Sequence, residues 1–325
     1  MKDPPPGKPR APETAAAPRP NRMRAPSIAL AVPPEKFRAV YINGAAFQET
    51  PPLDTISLTP AIRQNIAAAI QAVGRIERRP SVTAYFGSAF AVGRTSIVTN
   101  RHVAAEIAGR QADGSWAMKG ARPYVVNFLA ENGVAPSQSH MDVKIEAVEF
   151  VHPLWDFAIL RTAAIPAQIT PLRLASVDLV EPLASPRRLS FIVGYPGDPG
   201  DEISGALRDE IFGAGRFGVK RMQPGYAKAA ASHVNYFQKS VQALEHSCST
   251  SKGNSGSPLV DALTGLVVGV HEGGRTADVN WSVPCRELRK DQRVMQVIAE
   301  AFADGGGEAE GEWTAAWTEW DSQYA

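Results

Sequence analysis

From residue 81 onward the sequence breaks into short apolar runs separated by turn residues, and no other feature narrows the fold so far. Val82, Ala84 and Phe86, then residues 89–92 and 96–99, are divided by Gly87 and Gly93. Short runs of apolar and β-branched residues bounded by glycine predict strands. Further strand candidates lie at 124–129, 143–151, 157–161 and 171–174, then at 189–194, 239–244, 257–260, 266–271 and 280–283. A break near residue 180 sorts them into two clusters. Many short strands with turns between them predict an all-β chain, a pair of barrels or sandwiches in tandem. No internal sequence repeat accompanies the two clusters.

Helical patterns flank the strands. Thr59-Pro60 has the form of an N-cap followed by a proline in the first turn, and Ile62, Ile66, Ile70, Val73 and Ile76 recur on one helical face. This predicts a helix to about Arg78, closed by Pro80. Val294, Val297, Ile298, Ala301 and Phe302 predict a C-terminal helix. Residues 1–35 hold ten prolines together with Lys2, Lys8, Arg10, Arg19, Arg22 and Arg24. Such a segment buries too little apolar surface to order itself, and 36–58 carry no firm pattern. The expected organisation is a largely unstructured basic arm at 1–58, helix plus first barrel at 59–180, second barrel plus helix at 181–303, and a hinge and tail at 304–325. Residues 197–238 read as a long insertion, with a strand and a turn at 218–225. In the tail, Trp313, Trp317, Trp320 and Tyr324 share one helical face amid Glu308, Glu310, Glu312, Glu319 and Asp321. Two readings stand: the tail packs on its own domain, or it docks into the groove of a regulatory protein partner.

Basic and acidic side chains number 34 and 33, so no global field draws the chain to nucleic acid or a membrane. No apolar run is long enough to span a bilayer. Residues 28–32 are too short for a signal-peptide core and are followed by Pro33-Pro34. The expectation is a cytoplasmic chain in which Cys248 and Cys285 are reduced thiols.

The stretch Gly253-Asn-Ser-Gly-Ser-Pro258 carries the chemistry. Glycines on both sides of Ser255 permit a tight loop that exposes one hydroxyl and aims backbone N–H groups at one point, as an acyl-transfer nucleophile requires. An ordinary Gly/Ser turn fits the same residues. A serine nucleophile needs a base, and the base an orienting acid. Of six histidines, His102 follows the run Ser96-Ile-Val-Thr-Asn-Arg and would stand at a strand end facing a cleft. Asp156, in His152-Pro-Leu-Trp-Asp-Phe-Ala-Ile-Leu-Arg161, heads an apolar strand, where a carboxylate without a partner is costly. A histidine N–H would satisfy it; so would a strand-capping turn.

Together Gly87-Ser-Ala-Phe, Ile97-Val-Thr-Asn-Arg-His102, Asp156-Phe-Ala-Ile-Leu, Val193-Gly-Tyr-Pro196 and Gly253-Asn-Ser-Gly-Ser-Pro258 resemble, in order, the landmarks of trypsin-like (chymotrypsin-fold) serine proteases. The resemblance covers about residues 80–300. It implies two six-stranded Greek-key β-barrels with the site between them, Ser255 as nucleophile, His102 as general base, Asp156 as its orienter, and the N–H groups of Gly253 and Ser255 as oxyanion hole. It implies no cofactor and no metal. The second cluster most resembles the bacterial branch containing the glutamyl endopeptidases, on Ser249-Thr250 before the serine loop and on Val268-Gly-Val-His-Glu-Gly-Gly274. There Thr250 and His271 would line a pocket for an acidic P1 side chain, although Glu272 departs from the aromatic residue usual at its place. Digestive members carry an aspartate before the serine, which pairs with a newly cut N-terminal ammonium. Asn254 is neutral, so no switch of that kind is expected. Bacterial relatives with segments like 218–225 resemble effectors of multi-protein systems, including defence. The expected function is therefore a serine endopeptidase acting on proteins or peptides and gated by a partner. The competing function is a catalytically silent module that binds a partner through the tryptophan tail.

Overall fold

A computed structural model describes residues 37–44, 46–47, 58–80, 84–134, 141–177, 179, 188–213, 215–234, 239–275, 279–305 and 317–319. The proline-rich stretch 1–35 lies outside the described residues. Two short strands open the described chain, β1 (Val40–Asn43) and β2 (Ala46–Phe47), paired with each other. The sequence pattern of 36–58 does not announce them, because four residues are too few for a period and β1 finds its other partner far along the chain. The first helix, α1 (Pro60–Ala72), starts where expected: Thr59 Oγ1 accepts the Ile62 N–H at 3.3 Å. It ends early. Val73 is extended and opens a strand, β3 (Val73–Arg78), in place of the last expected helical turns. Val73 and Ile76 suit a helical face and a buried strand equally. Pairing on both edges of β3 decides between them.

That strand begins the first barrel. The chain continues through β4 (Tyr85–Ala91), β5 (Ser96–Thr99), a helix α2 (Arg101–Ile107), a small side hairpin of β6 (Ala108–Arg110) and β7 (Trp116–Met118), then β8 (Tyr124–Asn127), β9 (Asp142–Val151) and β10 (Ala158–Thr162). Six of these strands close into a ring in the order β10-β5-β4-β3-β8-β9. Strand β9 shows the underlying pattern: Val143, Ile145, Val148 and Phe150 face the core, while Asp142, Lys144, Glu146 and Glu149 face water.

The second barrel is built from β11 (Arg188–Gly194), β12 (Arg221–Val234), β13 (Ser240–His246), β14 (Pro258–Asp261), β15 (Val267–Arg275) and β16 (Val279–Pro284). They run β11-β14-β15-β16-β13-β12, and a β11–β12 pairing closes the ring. Counted from the first strand of each barrel, the two rings have the same Greek-key order. The all-β, double six-stranded expectation holds. Strand β1 adds to β12 outside the ring.

Two expectations change. Residues 197–238 are not mainly a loop. They hold a 3-10 turn (Gly200–Glu202), a helix α3 (Gly205–Phe212) and the fourteen-residue β12. The run Ala227-Lys-Ala-Ala-Ala-Ser-His233 has no alternation, so only its neighbours β11 and β13 make it a strand. Conversely, 171–174 form no strand, and Leu174 makes only isolated bridges to Val267 and Phe302.

After β16 come α4 (Cys285–Arg289) and α5 (Gln292–Ile298), the latter continued by a 3-10 turn through Ala301. The Asp291 side chain caps α5, accepting from the N–H groups of Arg293 and Val294 at 2.7 and 3.2 Å. Of the tail aromatics, Trp317 is described; Trp313, Trp320 and Tyr324 lie outside the described residues. Trp317 is buried on the chain's own surface, its indole N–H donating to Asp291 Oδ2 at 2.7 Å and its ring meeting Phe150, His152 and the Arg293 guanidinium. Cys248 and Cys285 are buried free thiols, and burial pushes both thiol pKa values up. Among the described residues no helix is long and apolar enough to cross a membrane.

Candidate active site

His102 lies on a helix and not, as expected, at a strand end. Strand β5 ends at Thr99, Asn100 stays extended, and α2 begins at Arg101, so His102 sits in the first turn. The carboxylate of Asp156, fully buried in the loop between β9 and β10, takes hold of His102 at two points. One oxygen accepts the His102 backbone N–H at 2.9 Å, and the other lies 2.6 Å from Nδ1. Asn100 Nδ2 donates to the Asp156 carbonyl at 2.7 Å and fixes the loop from the other side. A carboxylate acceptor places the ring proton on Nδ1, so Nε2 is the nitrogen with a lone pair to use. Burial lowers the imidazole pKa. The charge and hydrogen bond of Asp156 oppose it, helped by Glu272 and Glu106, and the net shift is upward from 6.5.

The serine loop is shaped by its two glycines and by the first barrel. Gly253 and Gly256 have φ of 89° and 86°, in the left-handed region that glycine tolerates. Added side chains would also collide: a Cβ at Gly253 would meet Tyr85 and Tyr195, and one at Gly256 would meet Ser88 and Thr99. The Ser88 N–H donates to the Ser255 carbonyl at 2.8 Å, and Ser88 Oγ donates to the Gly253 carbonyl at 2.7 Å. Both carbonyls are thus turned toward β4. Among the described residues the N–H groups of Gly253 and Ser255 donate to no protein acceptor. The Gly256 N–H donates to the His271 carbonyl at 3.0 Å, and the His271 N–H donates to Ser257 at 2.8 Å. Through Thr99 on one side and His271 on the other, the Ser255 loop is packed between the element that leads to His102 and the edge of β15.

Thr250 and His271 are both buried, but their polar groups are engaged. Thr250 Oγ1 donates to Asn280 Oδ1 at 3.0 Å, and Asn280 Nδ2 donates to the Cys248 carbonyl at 2.7 Å. His271 Nδ1 lies 3.1 Å from Nε2 of His246, which itself stands opposite Asn280 in the β13–β16 register. Burial first, and then the charge of His102, lower the His271 pKa to about 3. His246 is held well below its ordinary value by burial and by His271 and Lys228. Both rings are neutral at physiological pH. Sequence reasoning missed His246, although it heads the run that leads into the serine loop. Glu272 is buried beside this cluster, 3.8 Å from His233, whose ring stacks on Trp281 at 4.0 Å. No group of three or more His, Cys, Asp or Glu side chains suited to a metal ion occurs among the described residues.

The model of the trypsin-like peptidase domain matches residues 87–270. None of the curated proteins compared matches the chain. Among solved structures the chain is similar to the active form of the Rv3671c protease from M. tuberculosis, at 19% identity over 81% of this chain and 95% of that one, with a TM-score of 0.45. It is similar to Deg5 at 17% identity over 77% and 98%, with a TM-score of 0.49. It is also similar to the serine endoprotease from Yersinia pestis at 15% identity over 74% and 69%, with a TM-score of 0.44. The family match does not single out the glutamyl-endopeptidase branch. It takes in most of the strands of both barrels and more than half of the chain, from the first motif at Gly87 past the serine loop, and so the chain belongs to the trypsin-like peptidase family and is a serine protease.

Proposed function

We propose that the chain is an endopeptidase that cleaves peptide bonds through Ser255, His102 and Asp156. The observation that carries this reading is the two-point grip of a buried Asp156 on His102, which sets the ring's tautomer and direction. In the proposed cycle Ser255 Oγ attacks the scissile carbonyl while His102 Nε2 takes its proton. The N–H groups of Gly253 and Ser255 receive the developing oxyanion; neither is spent on a protein acceptor. The tetrahedral species collapses as His102 gives its proton to the leaving amine, and an acyl-enzyme on Ser255 remains. Water, activated by the same imidazole, then releases the acid and restores the serine. Asp156 stays ionised throughout and stabilises the imidazolium.

Thr250 and His271 line the proposed P1 pocket. Preference for an acidic P1 side chain then rests on the neutral His271 imidazole as donor, since the Thr250 hydroxyl proton is committed to Asn280 Oδ1 and His271 carries no charge at pH 7. Gating by a protein partner is kept as the finer part of this reading, through Trp313, Trp320 and Tyr324; Trp317 itself packs on the chain's own residues.

The test is reaction with a fluorophosphonate, followed by peptide mapping and by cleavage of a mixed peptide library. The expected result is one adduct on Ser255, its absence in Ser255→Ala, a fall in kcat of about 10⁶-fold in that variant, and enrichment of Glu or Asp at P1. A folded wild-type chain that takes up no label, either alone or in cell extract, would overturn the protease mechanism and leave a silent binding module. A profile flat at P1 would remove the acidic pocket alone.

A further inference from the structure

Asn254, which precedes the serine, points its side chain inward and is fully buried. It meets Gln223, equally buried on β12, in a closed pair of hydrogen bonds. Gln223 Nε2 donates to Asn254 Oδ1 at 3.0 Å, and Asn254 Nδ2 donates back to Gln223 Oε1 at 2.9 Å. Each amide offers one donor and one acceptor to the other, and among the described residues neither side chain has a further hydrogen bond. Space is kept for the pair by Gly194, where a Cβ would strike Asn254 Oδ1 and Ser257 Oγ. Gln223 stands opposite Ile192 of β11 on a strand paired along both edges, so its position is set by the barrel and not by the loop.

We infer that Gln223 is a positioning residue for the nucleophile loop, a neutral clasp that holds Asn254 and thereby the peptide planes on either side of it. The inference rests on the proposed role of Ser255. The 254–255 peptide carries the Ser255 N–H, and the 253–254 peptide carries the Gly253 carbonyl, which accepts from Ser88 Oγ. Pinning the side chain between them fixes both. The clasp contains no ionising group and no chain terminus. It forms on folding, requires no cleavage to complete it, and leaves the loop competent from the outset.

The experiment compares the wild-type chain with Gln223→Ala and Gln223→Glu by amide hydrogen exchange over residues 249–260 and by the pH dependence of kcat/KM. Removal of the clasp in Gln223→Ala should speed exchange in that segment at least tenfold, on the order of the openings that loops show when a restraint is lost, and leave β13 and β16 unchanged. Turnover should fall about 10²-fold, the size expected for misplaced catalytic geometry. Gln223→Glu keeps the shape and guards against a variant that does not fold. Its protonated carboxyl can donate to Asn254 Oδ1 as the amide does, whereas the ionised form cannot. This variant should therefore lose activity as pH rises through the buried carboxyl's pKa, a limb the wild type lacks. Unchanged exchange in both variants, or a wild-type pH profile for Gln223→Glu, would overturn the clasp. Exchange reads the loop without turnover, so failure of Ser255 to take up label would count against the protease mechanism and not against this inference.

Discussion

At the scale of single residues, the grip of Asp156 on His102 has a signed consequence for pH. A raised imidazole pKa means that the ring stays protonated above pH 6.5, and a protonated ring is no base. The value of kcat/KM should therefore rise with pH through a midpoint above 6.5. The same group stabilises the fold most below its unfolded pKa, and that contribution is lost as pH rises through the folded value. Activity and this part of stability thus move in opposite directions. Glu272→Gln removes one of the charges holding the pKa up and should shift the midpoint downward. Asp156→Asn should cost about 10⁴-fold in kcat, the loss that follows when the carboxylate orienting a triad histidine is made an amide. Stopped assays across pH on both variants check this. The pairing of His102 with Asp156 and the tight loop around Ser255 were legible because their neighbours, a small-residue turn or an apolar strand, give each a local signature. His246 and Gln223 had none. Each works through a residue that is distant in sequence and adjacent only once the second barrel closes.

At the scale of elements, the loop that carries Asp156 is braced from the C-terminal end of the chain. His152 Nδ1 accepts the N–H groups of Leu154 and Trp155 at 3.1 and 3.0 Å, so its proton sits on Nε2, 3.2 Å from Asp291. Burial holds the His152 pKa down and keeps the ring neutral. Asp291 caps α5 and accepts from Trp317, so one carboxylate joins the Asp156 loop, a helix start and the tail. Trp317→Ala should lower stability by about 3 kcal/mol, as large-to-small changes at buried aromatics do. Trp317→Phe should cost about 2 kcal/mol, near the net worth of one hydrogen bond to a charged group. Urea unfolding midpoints separate the two. Strands with alternating faces, such as β9, were readable from sequence. The boundary between α1 and β3 and most of β12 were not, because Val73 and Ile76 fit a helical period as well as a strand, the alanine-rich run has no period, and both take their conformation from the strands beside them.

At the scale of the whole molecule, polar groups cross between the barrels as well as apolar ones. Lys220, fully buried just before β12, donates to the Ile70 and Phe128 carbonyls at 2.7 Å each and lies 3.3 Å from Glu131. Tyr195 OH reaches the Val73 and Asn127 carbonyls at 3.3 Å. Burial lowers the Lys220 pKa to about 8 against the opposing charge of Glu131. Lys220→Met withdraws the counter-charge from a buried carboxylate and should destabilise the chain by about 3–5 kcal/mol. The double variant with Glu131→Leu should recover much of that loss. Equal destabilisation of the single and double variants in urea would show that the pair is not coupled. The twin ring order was partly legible, since two strand clusters stood apart near residue 180, yet no repeat in sequence marked the shared topology. The attachment of β1 outside the second ring bears on how the chain is made. Its partner Met222 is synthesised roughly 180 residues after Val40, so at ordinary rates of translation β1 waits on the order of 10 seconds or more while the whole first barrel can close without it. The first of the described strands thus finds its place only once β12 has been made, after the first barrel can already have closed.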